Sequence, residues 1–243
     1  MGNVGRRLES LTLDNVDDLP YPCRSCVFWE LDHVAADRAQ EAGNLELEKE
    51  AWLSATLLEW GSCGLVSYAD DVPVGYVLFA PPAYVPRAAM FPTSPIGADA
   101  VQLVTARVIP ELRGTGLGRA LVQAAARNLV RRGVRAVEAF GIADVARDGV
   151  SRTDNDTETT CLLPAGFLLA VGFKTIRPHR RWPRLRLDLR GALTLSDEVE
   201  VALDRLIETV RPEPALAPGA ARGQLARSRS WSEPVWASSC EGR

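Results

Sequence analysis

The chain has 243 residues, of which 47% are hydrophobic and 24% charged, with a formal net charge of −3. A chain of this length buries a sizeable core without metals or disulfides, and its charge balance excludes gross polyanion binding. No run reaches the roughly 18 apolar residues of a membrane span, and MGNVGRRLES lacks the apolar centre of a signal peptide, so a cytoplasmic chain with no membrane partner is expected.

Along the chain, the first chemistry-bearing pair is Cys23 and Cys26, just before VFWE. A zinc knuckle needs a second close pair, and a redox pair needs a helix start in a thioredoxin-like setting. Cys63, Cys161 and Cys240 stand singly, so no metal is expected and the pair reads as structural, with reduced thiols. Residues 34–60 are rich in Ala, Leu and Glu and read as helix, broken in two at Gly43-Asn44. GLVSYADDVPVGYVLFAPP follows as a hairpin around an Asp70-Asp71-Val72-Pro73 turn.

AVQLVTARVI is β-branched and apolar and reads as a strand stopped by Pro110. Leu117, Leu121, Ala124, Ala125 and Leu129 then recur at helical spacing. Arg131, Arg132 and Gly133 suit the end of that helix. Gly114, Gly116 and Gly118 therefore lie between strand end and helix start, with Arg113 before them. The first N–H groups of a helix have no partner inside it, the dipole there favours negative charge, and glycines let the backbone approach a ligand. The turn reads as a phosphate cradle. A P-loop would need Gly-Lys-Ser/Thr, and the dinucleotide fingerprint would need a glycine at Arg119 or Leu121. Neither template is met.

VRAVEAFG (134–141) reads as another strand, and residues 141–160 as a long polar loop. WPRLRLDL alternates as a last strand. Only Lys49 and Lys174 are lysines among 28 basic residues, an arginine bias that reads as GC-rich coding. The cluster of Arg177, His179, Arg180, Arg181, Arg184, Arg186 and Arg190 fits nucleic-acid contact, a ribose-phosphate site or the polar face of two late strands. The alternation favours the last. Residues 195–211 read as a helix capped by Ser196, and residues 212–243 as a disordered tail.

Arg113-Gly114-Thr115-Gly116-Leu117-Gly118 resembles the coenzyme A signature Arg/Gln-X-X-Gly-X-Gly/Ala of the GNAT superfamily of N-acetyltransferases. The lead-in Val108–Arg113 resembles the strand end of that family. RRLESLTLDNVDDLP (6–20) resembles its first strand and turn, and CLLPAGFLLAVGFKTIR (161–177) its later helix, Gly-Phe and strand. The resemblance implies an α/β GNAT fold, with a mixed central sheet, helices on both faces and two splayed parallel strands. It implies a GNAT domain over 1–191, followed by the helix at 192–211 and the tail at 212–243. It implies acetyl-CoA as cosubstrate, held by Ala106, Val108, Arg113, Gly114, Thr115, Gly116, Leu117, Gly118 and Arg119, and an amine of a small molecule or protein as acceptor. A homodimer is compatible with it.

Many family members carry a tyrosine as acid where this chain has Leu168, with Phe167 beside it. Many carry a glutamate base where this chain has Gln102, Leu103, Val104 and Thr105. Glu111, Asp154, Asp156 and Glu158 are the remaining carboxylate candidates, and no catalytic side chain is assigned. A coenzyme A-binding module that acts through partner contacts is the alternative to a working acetyltransferase.

Overall fold

A computed structural model describes residues 6–143 and 161–189. The expected helix at 195–211, the tail at 212–243, Arg190 and residues 144–160, with Asp154, Asp156 and Glu158, lie outside the described residues. The described strands form one mixed sheet: β1 (Arg6–Ser10), β2 (Gly64–Ala69), β3 (Val72–Ala80), β4 (Ala100–Val108), β5 (Ala136–Ile142), β6 (Leu163–Pro164), β7 (Lys174–Arg177) and β8 (Arg184–Asp188). Their order is β1-β2-β3-β4-β5-β8-β7, with β6 paired to β5. β4–β5 and β5–β6 are parallel and the remaining pairs antiparallel.

The β2–β3 turn is tighter than the sequence suggests. Asp70 and Asp71 alone make it, at φ 49° and 65°, the left-handed values a two-residue hairpin turn requires. Val72 and Pro73 already belong to β3, and the register shifts opposite Pro73, where its missing N–H does least harm.

Helices cover both faces. α1 (Tyr21–Arg24), α2 (His33–Ala42) and α3 (Leu45–Glu59) pack on one, α4 (Leu117–Arg131) and α5 (Ala165–Val171) on the other. Gly43, at φ 68°, ends α2 where the sequence places the break. One apolar layer joins Trp29, Trp52 and Leu53 to Tyr76, Val104 and Phe140. The second joins Leu121, Ala125 and Leu129 of α4 and Leu168 of α5 to Val77, Leu103 and Ala139. Arg132 closes the end of α4: it donates to the carbonyls of Trp60 and Ser62 at 2.7 and 2.6 Å and lies 3.7 Å over the Trp60 ring. Among the described residues no helix is long and apolar enough to cross a membrane.

The arginines of β8 do not form the solvated face that alternation favours. Arg184 is buried beside Glu138, and Arg186 donates to Glu138 at 3.0 Å and to Asp99 at 2.8 and 3.0 Å. Glu138 is buried, and two arginines neutralise a charge that would otherwise be costly there. Hydrogen bonds from Arg186 hold the Asp99 carboxyl down at about 2, against an ordinary 3.8. Its folded-state value is depressed, so the stability it adds is present above the ordinary value and fades as pH falls towards 2. Melting curves of the wild type and Asp99→Asn are therefore expected to converge between about pH 5 and pH 2.

Candidate functional site

The sheet opens between β4 and β5. Their pairing covers only Ala100↔Ala136, Val101↔Val137 and Gln102↔Glu138. β4 then continues to Val108 along β3 alone, while β5 takes β6 as neighbour at Gly141 and Ile142. The Ile109 N–H donates to the Val74 carbonyl at 3.0 Å, and Tyr76 stands opposite Arg107. The backbone groups of Arg107 and Ile109 thus face β3, so those of Ala106 and Val108 face the opening. Among the described residues no strand pairs with that edge. The wedge needs no unusual residue: β5 leaves β4 because its outer edge stays bonded to β8 as far as Phe140, and onward through Gly141 N–H to Pro183 and Ala143 N–H to Arg181.

The glycine turn stands at the mouth of this wedge. Pro110–Leu112 make one 3₁₀ turn, and α4 starts at Leu117 with Gly116 as its N-cap at φ 90°. Gly114 lies at φ 76°. A Cβ at either position would meet nothing within 4 Å, so conformation rather than space calls for glycine there. The Thr115 hydroxyl donates to the Leu112 carbonyl at 2.7 Å and holds the turn closed. Gly118 is different. A Cβ there would lie 3.4 Å from the Phe167 ring and 3.7 Å from Val108, so the start of α4, the end of β4 and α5 meet at this point. Arg113 and Arg119 are exposed. The first-turn N–H groups of α4 have no partner inside the helix, and they lie beside two exposed arginines in line with the free edge of β4.

On the α1–α3 face the wedge is bordered by side chains that the sequence motifs do not single out. Arg107 is half-buried within electrostatic reach of Cys23, Cys26, Cys161 and Tyr76, and as a guanidinium it stays protonated there. Tyr76 is hydrogen-bonded to Cys23, and burial pushes both groups up, so both stay neutral. Gln102 is fully buried at the last paired rung, and neither its Oε1 nor its Nε2 has a partner among the described residues. The signal available in sequence was the period of two, which puts Arg107 and Gln102 on the face away from α4 once the β-bulge at Val104 is counted. Of the carboxylate candidates, Glu111 is exposed, and Asp154, Asp156 and Glu158 lie outside the described residues. Glu138, at the last paired rung, is occupied by Arg184, Arg186 and the Gly97 N–H. Leu168 is buried in the core beneath α5 and offers no proton. Among the described residues no three His, Cys, Asp or Glu side chains converge on a metal-sized site.

A model of the acetyltransferase (GNAT) family matches residues 27–148. The chain is similar to a solved N-acetyltransferase, PaiA from Thermoplasma acidophilum in complex with coenzyme A, at 12% identity over 76% of this chain and 99% of that one, with a TM-score of 0.46. It is similar to the loading GNATL domain of CurA from Lyngbya majuscula, at 15% identity over 76% and 98% of the two chains, with a TM-score of 0.47. A GNAT family acetyltransferase from Brucella melitensis in complex with acetyl-CoA aligns at 15% identity over 76% and 89%, with a TM-score of 0.42. No curated protein matches the chain.

Proposed function

This chain belongs to the acetyltransferase (GNAT) family, and from that premise we propose that it transfers an acetyl group from acetyl-coenzyme A to an amine. The observation that carries the reading is the opening of the sheet past Gln102 and Glu138, with the Gly114–Gly118 turn at its mouth. In this reading the N–H groups of residues 113–118 and the first turn of α4 hold the pyrophosphate, with Arg113 and Arg119 beside it. The free edge of β4 at Ala106 and Val108 bonds the arm that carries the thioester. An N–H of that edge stabilises the oxygen charge that develops on the thioester carbonyl.

The amine nitrogen forms the new bond to the carbonyl carbon, the carbon–sulfur bond breaks, and the coenzyme leaves as a thiolate that takes up the proton the nitrogen gives up. Glu138 is held by two arginines and a backbone N–H, so its oxygens are already engaged, and in this reading the amine arrives already neutral. Much of the rate comes from holding the reactants together, since a thioester is already activated.

Gln102 has a place in this reading. A buried amide without partners costs roughly 1–3 kcal/mol, and retaining one at the apex of the wedge is explained if a bound water or the acceptor completes it. Gln102→Leu is expected to leave the melting temperature unchanged or raised and the affinity for coenzyme A unchanged, while turnover falls roughly tenfold, the worth of one hydrogen bond. Unchanged turnover would make Gln102 a mere core residue.

The buried Leu168, where the family resemblance expects an acidic hydroxyl, favours the second reading of a coenzyme-binding module without strong catalysis. One experiment separates the two. Acetyl-coenzyme A at a hundred times its dissociation constant should stabilise the protein by about 2.7 kcal/mol, and thiol release across a panel of amines should follow. Stabilisation without thiol release supports the module. Absence of both removes the proposal.

A further inference from the structure

The four described cysteines, Cys23, Cys26, Cys63 and Cys161, gather on one side of the sheet, and two of them touch. Cys26 lies between α1 and α2, and Cys161 stands just before β6, 135 residues away, yet their Sγ atoms are 3.4 Å apart. Both backbones are anchored. The Lys49 Nζ donates to the Cys26 carbonyl at 3.2 Å, and the Trp29 indole N–H donates to the Cys161 carbonyl at 3.1 Å. Bringing the two sulfurs to bonding distance needs a movement of about 1.4 Å, within reach of a side-chain rotation.

The two thiols differ in access. Cys26 is half-buried and Cys161 is buried, 7% exposed. The Lys49 ammonium, its partner Glu30 and the Arg107 guanidinium all lie within electrostatic reach of Cys26, so the more accessible of the two thiols stands in a polar setting. The remaining described thiols are poorer reactants. Burial pushes Cys63 up to about 12, and it also raises Cys23, which is tied to the Tyr76 hydroxyl.

We propose that Cys26 and Cys161 are a modification site for peroxide, forming a reversible disulfide that clasps the lead-in of α5 to the α1–α2 connection. The Cys26 thiolate attacks one oxygen of hydrogen peroxide. The sulfur–oxygen bond forms, the oxygen–oxygen bond breaks, and the departing hydroxide takes a proton to become water, leaving a sulfenic acid. Cys161 then attacks that sulfur. The sulfur–sulfur bond forms, the sulfur–oxygen bond breaks, and the leaving hydroxide takes the thiol proton as a second water. Two thiols lose two electrons and one peroxide gains them. In a reducing compartment the pair rests as thiols, so the disulfide reports oxidant exposure. The clasp pins β6 at the outer end of the wedge, and it joins residues 135 apart, so it restricts the unfolded chain strongly. The inference rests on the sulfur geometry and is independent of the proposed acetyl transfer.

The test uses the full chain, exposed to hydrogen peroxide, alkylated and mapped by mass spectrometry. The expected product has lost two hydrogens, carries a Cys26–Cys161 cross-linked peptide, melts several degrees higher than the reduced protein, and reverts with dithiothreitol. Cys26→Ser and Cys161→Ser should each abolish the cross-link and the rise in melting temperature. Because the mapping is done on the wild type, a variant that folds poorly leaves the test intact. A cross-link between any other pair, Cys26 recovered as sulfinic acid, or both thiols recovered unmodified would overturn the proposal.

Discussion

Gly116→Trp is expected to raise the dissociation constant of coenzyme A about a hundredfold, with the fold retained. Two effects combine. Gly116 sits at φ 90° as the N-cap of α4, and a side chain with a Cβ is strained there by roughly 1–2 kcal/mol. A Cβ there meets nothing within 4 Å, so the side chain has room to leave the turn without entering the core. That space is where the anion would lie against the first N–H groups of the helix. Losing one or two charge-assisted hydrogen bonds, each worth roughly 1.5–3 kcal/mol, accounts for the hundredfold. Calorimetric titration of coenzyme A measures it. A Kd within threefold of the wild type, in a protein that still melts cooperatively, would move the pyrophosphate away from this turn. Gly114→Trp, at φ 76° with equally open space, should show a similar pattern.

The largest loss of stability is expected from Glu30→Ala. Glu30 and Lys49 are ion-paired, and both are almost fully buried, at 5% and 3% exposed. Removing the carboxylate leaves the ammonium in the core with the Cys26 carbonyl as its hydrogen-bond acceptor at 3.2 Å. Breaking a buried pair from one side costs about 3–5 kcal/mol, which for a domain of this size lowers the melting temperature by roughly 10 °C. The double variant Glu30→Met, Lys49→Met should recover most of that loss, because apolar chains of similar volume replace such pairs at little cost. Differential scanning of the three variants reads both effects. If Glu30→Ala melts like the wild type, the pair contributes nothing and the lysine escapes to water.

Much of the local structure was legible. The run from Ala100 to Gly133 announces its own strand, turn and helix, because a proline stop, alternate glycines and a 3.6-residue period act over a few residues. The break at Gly43 was legible for the same reason: a glycine at φ 68° marks the end of a helix. The sequence locates the hairpin but places its turn two residues too wide, since Pro73 looks like a turn residue until the register shift opposite Tyr68 accommodates it. The two-residue β6 carries no periodicity at all.

The sequence by itself determined most of the described elements and the place of one glycine-rich turn between strand and helix, all of which follow from short-range rules. Tertiary structure alone decided where β4 and β5 part, because parallel pairing joins Gln102 to Glu138, residues far apart in the chain, and its end is set by the competing bond of β5 to β8. It alone turned Arg184 and Arg186 inward, since alternation assigns a face but cannot say that a buried Glu138 waits on it. It alone brought Cys26 to Cys161 across 135 residues, while Cys23 bonds to the Tyr76 hydroxyl. Spacing is a statement about neighbours along the chain, and the wedge, the buried arginines and the touching sulfurs are all contacts between segments that only the closed sheet brings together.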